Sequence, residues 1–413
     1  YYKFAFFTVV AYAVLLSFTT IYLYQYLKNR FQKHSFFVFI IPLIICLYGW
    51  PFFVGIVPKQ DYLTSIPNDY KELRNSLSSD VTDSKVLALP PAPKGSGLLL
   101  QWNNGDKYAG PHPDAYLIDK PVIDSYWFTR VGYKDLIADD SWTGKKFEDN
   151  FAETLRYLGI LNIRYLFVHN DFVENYDFGN KDVRKIEGRL KAKRLESLIS
   201  KYPDIIVMKQ TPYFMLYKLP DRLFLPHFYI PETLIYSTDQ IRELFNSEQK
   251  MGKYAILPSK QINNKTDFDK DNSPTIRFTR VNPTKYKVRI KQAIKPFYLI
   301  FSESFDNNWK LYINNSNLDD TIKDSKHLSA LFNQNIFETW GKTPINDKNH
   351  MKANGYANAW FIQPDNRQNN HEYEVIVEYK PQQYFYLGLI ISIITLIGSS
   401  VYIFYHILKK ENV

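Results

Sequence analysis

Cysteine is almost absent from this chain of 413 residues, since only Cys46 is present. No disulfide can therefore form within the chain, and the long polar stretch after residue 57 has neither a thiol nucleophile nor a cysteine-based zinc site. Extracellular animal domains of this size usually carry disulfides, so an exported domain without them is more typical of a bacterial or archaeal surface.

Charged residues are missing from three long hydrophobic runs, which are Phe4–Leu27, Phe36–Val57 and Tyr384–Leu408. A helix of about 22 residues is roughly 33 Å long, enough to cross a hydrocarbon core of about 30 Å. The alternative is three buried core helices, but uncharged runs of this length are rare in soluble helices. We therefore predict three transmembrane helices.

The charges beside these runs predict the orientation of the chain. Lys28, Arg30 and Lys33 lie in a short loop without acidic residues, and Lys409 and Lys410 follow the third run. Basic loops stay on the cytoplasmic side. The prediction is a multi-pass protein of the plasma membrane with residues 58–383 outside the cytoplasm. Because the chain begins with tyrosine, we expect it to be the C-terminal part of a longer polytopic protein.

The first half of the exposed part alternates helical and strand patterns. Asn68 or Asp69 is the expected N-cap of a first helix, and Gly159 the expected residue just beyond the end of a second. Short apolar runs between the helices predict strands, and Ile163–Val168 is one of them by its β-branched and aromatic content. Residues 103–124 are predicted to form an ordered loop. This alternation predicts an α/β domain.

From residue 276 onward apolar and polar residues alternate with period two, which predicts strands with one face in a core. The predicted fold class is thus an integral membrane protein with an extracytoplasmic α/β domain followed by an all-β, sandwich-like domain. Its predicted parts are a two-helix transmembrane hairpin (1–57), the α/β domain (58–225), a connecting region (226–272), the β-sandwich-like domain (273–381), a C-terminal transmembrane helix (382–408) and a cytoplasmic tail (409–413).

Motifs of catalysis are also missing from the exposed part, which has no glycine-rich phosphate loop, HExxH or GxSxG. We predict no cofactor, no metal and no catalytic residue in this chain. One polar group with a histidine remains as a candidate site, and its members are His112, Asp114, Asp119 and Asp124. Their spacing matches no metal motif, and the alternative is that they form turns.

Aromatic residues are abundant, and their flat faces can stack on the apolar faces of sugar rings. Core packing is the alternative role. The candidates for glycan binding are Trp102, Tyr108, Trp127, Trp142, Trp309 and Trp360. A basic helix predicted over Lys185–Lys201 can attract anionic lipid headgroups or phosphorylated lipid carriers, unless it is simply a solvated face. Nucleic acid is not an expected partner outside the cytoplasm.

The order of these features resembles the C-terminal region of polytopic bacterial membrane proteins related to GT-C glycosyltransferases, including arabinofuranosyltransferase-like members. The resemblance lies in four segments and the closing hydrophobic run, and the segments are Ile66–Tyr70, Lys120–Asp124, Leu158–Tyr165 and Ser302–Lys310. In such enzymes the catalytic acid usually lies in the first outer loop. Only Tyr1–Lys3 precede the first run here, so the resemblance implies an accessory domain without the reaction centre.

Two functional hypotheses follow. In the first, the chain belongs to a membrane glycosyltransferase of cell-envelope glycan assembly, and the exposed part binds or positions the acceptor glycan. Its partners are then the lipid bilayer, a polyprenyl-phosphate-linked sugar and envelope glycan. In the second, the exposed part is a non-catalytic surface module that binds envelope polysaccharide or an envelope protein.

Overall fold

A computed structural model gives the structure of this protein and describes part of the chain. The described residues are 18–19, 21–22, 25–26, 65–80, 82–92, 98–102, 107–110, 113–125, 151–171, 192–240, 243, 252–259, 274–314, 336–364 and 372–411. Most of the first two predicted spans and the basic loop between them lie outside these residues. The chain divides into two compact units, Tyr1–Ile66 and Pro67–Val413, and the account below concerns the second.

The described part of this unit is rich in β-strands and has few helices. Its helices are α1 (Asn68–Ser78), α2 (Asp114–Leu117), α3 (Phe151–Ile160), α4 (Ala192–Ile199) and α5 (Pro381–Glu411). Its first ten strands are β1 (Lys85–Ala92), β2 (Leu98–Gln101), β3 (Lys107–Gly110), β4 (Val122–Ser125), β5 (Ile163–His169), β6 (Ile206–Gln210), β7 (Phe214–Lys218), β8 (Phe228–Tyr229), β9 (Thr233–Ser237) and β10 (Tyr254–Pro258). The others are β11 (Thr275–Asn282), β12 (Lys285–Lys291), β13 (Phe297–Ser304), β14 (Trp309–Asn314), β15 (His350–Ala353), β16 (Ala357–Ile362) and β17 (Tyr373–Tyr379).

A five-stranded mixed sheet forms the first half, with strand order β4-β1-β5-β7-β6. Strand β1 is parallel to both β4 and β5, while β7 is antiparallel to β5 and to β6. Helix α3 leads directly into β5, whose residues are nearly all buried. The predicted alternation of helices and strands is seen in this half.

Three local predictions for this half were wrong. The predicted loop 103–124 contains β3, α2 and most of β4. The N-cap position of α1 is Pro67, which has no side chain able to cap. Gly159 lies inside α3, where a Cβ would meet the Leu223 carbonyl oxygen at 1.8 Å. Glycine is thus required there for close backbone packing, and Asn162, with φ of 64°, is the left-handed residue beyond the helix.

Two four-stranded sheets form the second half, with orders β11-β12-β17-β14 and β15-β16-β13-β8. Their inner faces meet in one hydrophobic core, to which Val288 and Val377 contribute from the first sheet and Leu299 and Trp360 from the second. All four side chains are almost fully buried. Residues on the facing sides of two sheets make a sandwich, as the period-two pattern predicted.

The region predicted as a connector, 226–272, contributes strands to the fold. Strand β8 pairs with β13, and β9 pairs with β10 in parallel. A single hydrophobic cluster runs from Leu166 in the mixed sheet through Ala255 in β10 to Ile300 in β13. The Tyr356 hydroxyl also donates to the Ile160 carbonyl oxygen at 2.6 Å. The predicted domain boundaries at 225 and 273 remain a prediction, but the core passes across them.

Helix α5 follows the sandwich with only Lys380 between it and β17. Among the described residues it is the one helix long and apolar enough to cross a membrane, over Pro381–Ser399. Its large apolar side chains are mostly exposed on the protein itself, as Ile394 and Ile397 illustrate. Six residues of the first predicted span are described, and all six are helical and exposed. The rest of the first two predicted spans lies outside the described residues.

Candidate functional site

The carboxyl edge of the mixed sheet collects residues that are far apart in the sequence. Strand β4 pairs with one side of β1, and the chain then returns so that β5 pairs with the other side of β1. Ligands in open α/β sheets bind outside the carboxyl ends of strands where the order reverses in this way. Trp102, Tyr108 and Asp114 follow β1, while His169 ends β5 and Asp171 lies two residues beyond.

His169 lies between two carboxylates at this edge. Its Nε2 is 2.9 Å from Asp114 Oδ2, and its Nδ1 is 2.9 Å from Asp171 Oδ1. All three side chains are buried. Burial by itself lowers the pKa of His169, but the carboxylates of Asp114 and Asp171 outweigh it and raise that pKa to about 10. The imidazole is therefore protonated at neutral pH and forms charge-assisted bonds on both sides.

Two further donors complete the polar cluster. The Tyr70 hydroxyl of α1 donates to Asp171 Oδ2 at 2.6 Å, and the Trp102 indole Nε1 donates to the same oxygen at 2.7 Å. Burial and then the charge of Asp171 raise the pKa of Tyr70, so its hydroxyl remains a donor. We call Tyr70, Trp102, Asp114, His169 and Asp171 the edge cluster.

The edge cluster holds the local fold in place. Both ring nitrogens of His169 face carboxylates, and the ring is buried, so it is not positioned to take a proton from an external hydroxyl. Its hydrogen bonds instead connect α1, β5 and Trp102, the residue after β2, to Asp114, the first residue of α2. A helix of only four residues has little stability of its own, so this anchorage fixes its position.

Two tyrosines, Tyr108 and Tyr116, lie in elements next to this buried cluster. Tyr116 on α2 is 83% exposed, and Tyr108 on β3 is half-buried. Burial, and then the charges of Tyr116 and Asp114, raise the pKa of Tyr108. The edge of the sheet therefore presents an exposed aromatic residue on a firmly held support.

The predicted polar site is divided by the structure. Asp114 is buried in the edge cluster, while Asp119 is exposed, pairs with Arg74 at 2.6 Å and accepts a bond from Ser78. Asp124 belongs to β4, and its side chain is not described. His112 lies outside the described residues. No group of three or more side chains suited to a metal occurs among the residues that the structure describes.

The predicted glycan-binding aromatics fall in different surroundings. Trp102, Trp309 and Trp360 lie in hydrophobic cores, with exposures of 4%, 9% and 1%. Trp360 also stacks on His350, with ring centroids 4.6 Å apart. Trp127 and Trp142 lie outside the described residues. Tyr108 is therefore the predicted aromatic residue that the structure places with part of its surface open to solvent, and glycan binding by the others stays a prediction.

Sequence analysis missed Tyr70, Tyr116, His169 and Asp171. A signal for two of them was present, because His169 and Asp171 come directly after the predicted strand 163–168. Polar residues at the carboxyl end of a buried strand are typical of a site in an α/β sheet. The sequence does not distinguish Tyr70, because its position fits the ordinary apolar face of an amphipathic helix.

A second buried histidine lies where the mixed sheet meets the sandwich. His227 has Asp83 Oδ2 at 3.5 Å from Nδ1 and Glu303 Oε1 at 3.6 Å from Nε2. Neither ring nitrogen has a hydrogen-bond partner among the described residues. Lys85 pairs with Glu303 at 3.1 Å. Burial, and then the charges of Lys85 and Arg280, lower the pKa of His227 well below its usual range, so this imidazole is neutral.

Comparison with known proteins gives few matches. No protein-family model matches the sequence, and no curated protein matches it significantly. A cryo-EM structure of arabinofuranosyltransferase AftD from mycobacteria is similar at 12% identity and a TM-score of 0.29, covering 84% of this chain and 34% of that one. Two structures of a mutant of that protein have TM-scores of 0.29 and identities of 12% and 11%, covering 83% and 76% of this chain and 35% and 32% of theirs. This chain thus spans about a third of their length.

Proposed function

We propose that this chain is the membrane-anchored C-terminal part of a glycosyltransferase-like integral membrane protein of cell-envelope glycan assembly. Its exposed part binds or positions the acceptor glycan at the carboxyl edge of the mixed sheet. The observation that carries this proposal is Tyr116, which is 83% exposed beside Tyr108 on a helix that the buried edge cluster holds.

The chemistry of such an edge suits a sugar ring. The apolar C–H face of a sugar packs against a flat aromatic ring, and hydroxyls around it need donors and acceptors such as a tyrosine phenol. Because Asp114 at the start of α2 is fixed by His169, the ring of Tyr116 has a rigid base. A pre-organised surface loses less conformational entropy when it binds, which raises affinity.

The second candidate is a non-catalytic surface module that binds envelope polysaccharide. One observation favours it for this chain taken alone: His169 at the candidate edge has both nitrogens engaged by carboxylates, so it provides no general base. The two candidates share the glycan surface and differ in whether a transferase centre acts beside it. Transfer from polyprenyl-phosphate-linked sugars, assayed with the protein purified from its native membrane, distinguishes them.

A binding experiment tests the shared part of the proposal. The chain in lipid nanodiscs is titrated with a panel of short soluble oligosaccharides by calorimetry. Tyr116→Ala is expected to weaken binding about two- to tenfold, because one aromatic stacking contact contributes roughly 0.5–1.5 kcal/mol. Ile294→Ala is the control, since Ile294 is also an exposed large apolar residue, at 48%, but lies in the sandwich half.

Two results would count against the proposal. The first is equal affinity of the wild type and Tyr116→Ala for every oligosaccharide that binds. The second is an equal loss in Ile294→Ala, which would indicate a general effect of removing exposed apolar side chains. Thermal unfolding of both variants shows whether the fold is intact, and no large change is expected at an 83% exposed side chain.

A further inference from the structure

An aromatic turn stands beside the point where the sandwich passes into α5. It comprises residues 336–340, which lie between β14 and β15 in the chain. Phe337 is 51% exposed, and its ring lies 5.0 Å from that of Trp340 in an edge-on arrangement. We call residues 336–340 the aromatic turn.

Hydrogen bonds fix the aromatic turn to the beginning of α5. The Thr339 hydroxyl donates to Glu378 Oε2 near the end of β17. Gln383 Nε2, in the first turn of α5, donates to Thr339 Oγ1 at 3.1 Å and to Glu378 Oε2 at 2.8 Å. Thr339 is buried, so this junction is shielded from water.

An ion pair also connects the aromatic turn to strand β12. Lys287 Nζ of β12 lies 2.9 Å from Glu338 Oε1, and both side chains are largely buried. Buried charge-assisted bonds have a fixed geometry and resist bending. The aromatic turn and the first turn of α5 therefore form one rigid corner.

Both parts of this corner expose aromatic rings. Tyr384 and Phe385 on α5 are 64% and 59% exposed, and they follow Gln383 directly. Phe337 lies two residues before Thr339, the partner of Gln383, and is exposed, whereas the neighbouring Trp340 ring is half-buried with its Nε1 shielded from solvent. Exposed aromatic residues collected at one end of a long apolar helix are typical of the membrane–water interface, where ring bodies contact acyl chains and polar tips reach water.

We propose that the aromatic turn is a second membrane contact, in which Phe337, packed against the half-buried Trp340, enters the headgroup region of the lipid bilayer at the level of Tyr384 and Phe385. This inference rests on the proposed membrane span α5 but not on glycan binding. A single transmembrane helix can tilt in the bilayer, and a domain joined rigidly to it tilts with it. A second contact removes that freedom and sets the height and tilt of the sandwich over the membrane.

Depth-dependent quenching tests this contact. A bimane label is placed at Phe337→Cys in a Cys46→Ala background, and the chain is reconstituted in nanodiscs whose lipids carry bromine near the headgroup. The matched control is Tyr116→Cys, an exposed aromatic position of the mixed-sheet half. We expect at least twofold stronger quenching at position 337 than at 116, and none at either in nanodiscs of ordinary lipid.

The same measurement identifies results that overturn the inference. Equal quenching at 337 and 116 would mean that the turn does not meet lipid. A blue-shifted label at 337 without any effect of bromine would mean that protein, such as a second copy, covers it. Intrinsic fluorescence gives an independent check, because Trp340→Phe should reduce the fraction of tryptophan emission that brominated lipid quenches. An unchanged fraction would contradict the proposal even if the label perturbs the turn.

Discussion

His169 and His227 are both almost completely buried, and each lies between two carboxylates, yet they carry opposite charge states. The ring nitrogens of His169 are 2.9 Å from their carboxylate oxygens, whereas those of His227 are 3.5 and 3.6 Å away. The pKa of His169 is raised to about 10, and that of His227 is lowered well below its usual range.

Burial lowers the pKa of both histidines; carboxylates outweigh it at His169, whereas neighbouring cations add to it at His227. Glu303 beside His227 already pairs with Lys85, and Arg280 adds a second positive charge nearby. Asp171 beside His169 instead receives neutral donors, the Tyr70 hydroxyl and the Trp102 indole. A carboxylate whose charge is balanced by a lysine attracts a proton on histidine only weakly. At His169 the two carboxylates outweigh the cost of burial, whereas at His227 burial and the nearby cations prevail.

The largest effect is expected from His169→Leu. This substitution leaves Asp114 and Asp171 buried together without the cation between them, and breaking a buried pair in this way typically costs about 3–5 kcal/mol. Chemical denaturation of the reconstituted chain measures the loss in the free energy of unfolding. A change below about 1 kcal/mol would mean that the two carboxylates bind protons instead and that the imidazolium is not required.

The pH dependence of stability is expected to be the next largest effect. The pKa of His169 is about 10 in the folded chain against 6.5 for an unperturbed histidine, so its contribution is complete below pH 6.5. It is lost as the pH rises from 6.5 through about 10, by up to ~1.4 kcal/mol per pH unit. The measurement is the difference in unfolding free energy between wild type and His169→Leu across this range. A difference that stays constant would contradict the raised pKa.

The smallest effect is expected from the matched substitution His227→Leu. His227 is neutral and makes no hydrogen bond with the described residues, so leucine removes a buried polar group without leaving a partner unsatisfied. We expect the free energy of unfolding to change by less than about 1 kcal/mol, in either direction. Destabilisation as large as that of His169→Leu would end the contrast between the two sites and would show that His227 has a structural partner.

Local patterns were sufficient for many elements of the fold. Strand β5 was predicted from the β-branched and aromatic content of Ile163–Val168, and the sandwich strands from their period-two alternation. Gly159 shows where such patterns fail. Its position suggested a helix end, but the reason for glycine is the Leu223 carbonyl, which lies 64 residues further on (223 − 159). A contact between residues so far apart in the chain cannot be predicted from the local sequence.

The candidate site was predicted only in part, and its residues show why. Trp102, Tyr108 and Asp114 were singled out in the sequence, and the structure brings all three to one edge. Their partners come from α1 and from the end of β5, separated by about a hundred residues, as in the bond from Tyr70 to Asp171. Asp119, which looked equivalent to Asp114, is instead exposed and paired with Arg74.

The sequence by itself determined the features that depend on near neighbours: the uncharged run that becomes α5, the alternation that makes the sandwich, and the absence of disulfides. Only the tertiary structure decided the features that depend on distance and burial. Whether a histidine between two aspartates or glutamates holds a proton depends here on a difference of 0.6–0.7 Å (3.5 and 3.6 Å against 2.9 Å) and on the nearest lysine. Carboxylates hydrogen-bonded to both ring nitrogens favour the charged imidazole, and the order of residues along the chain does not specify such distances.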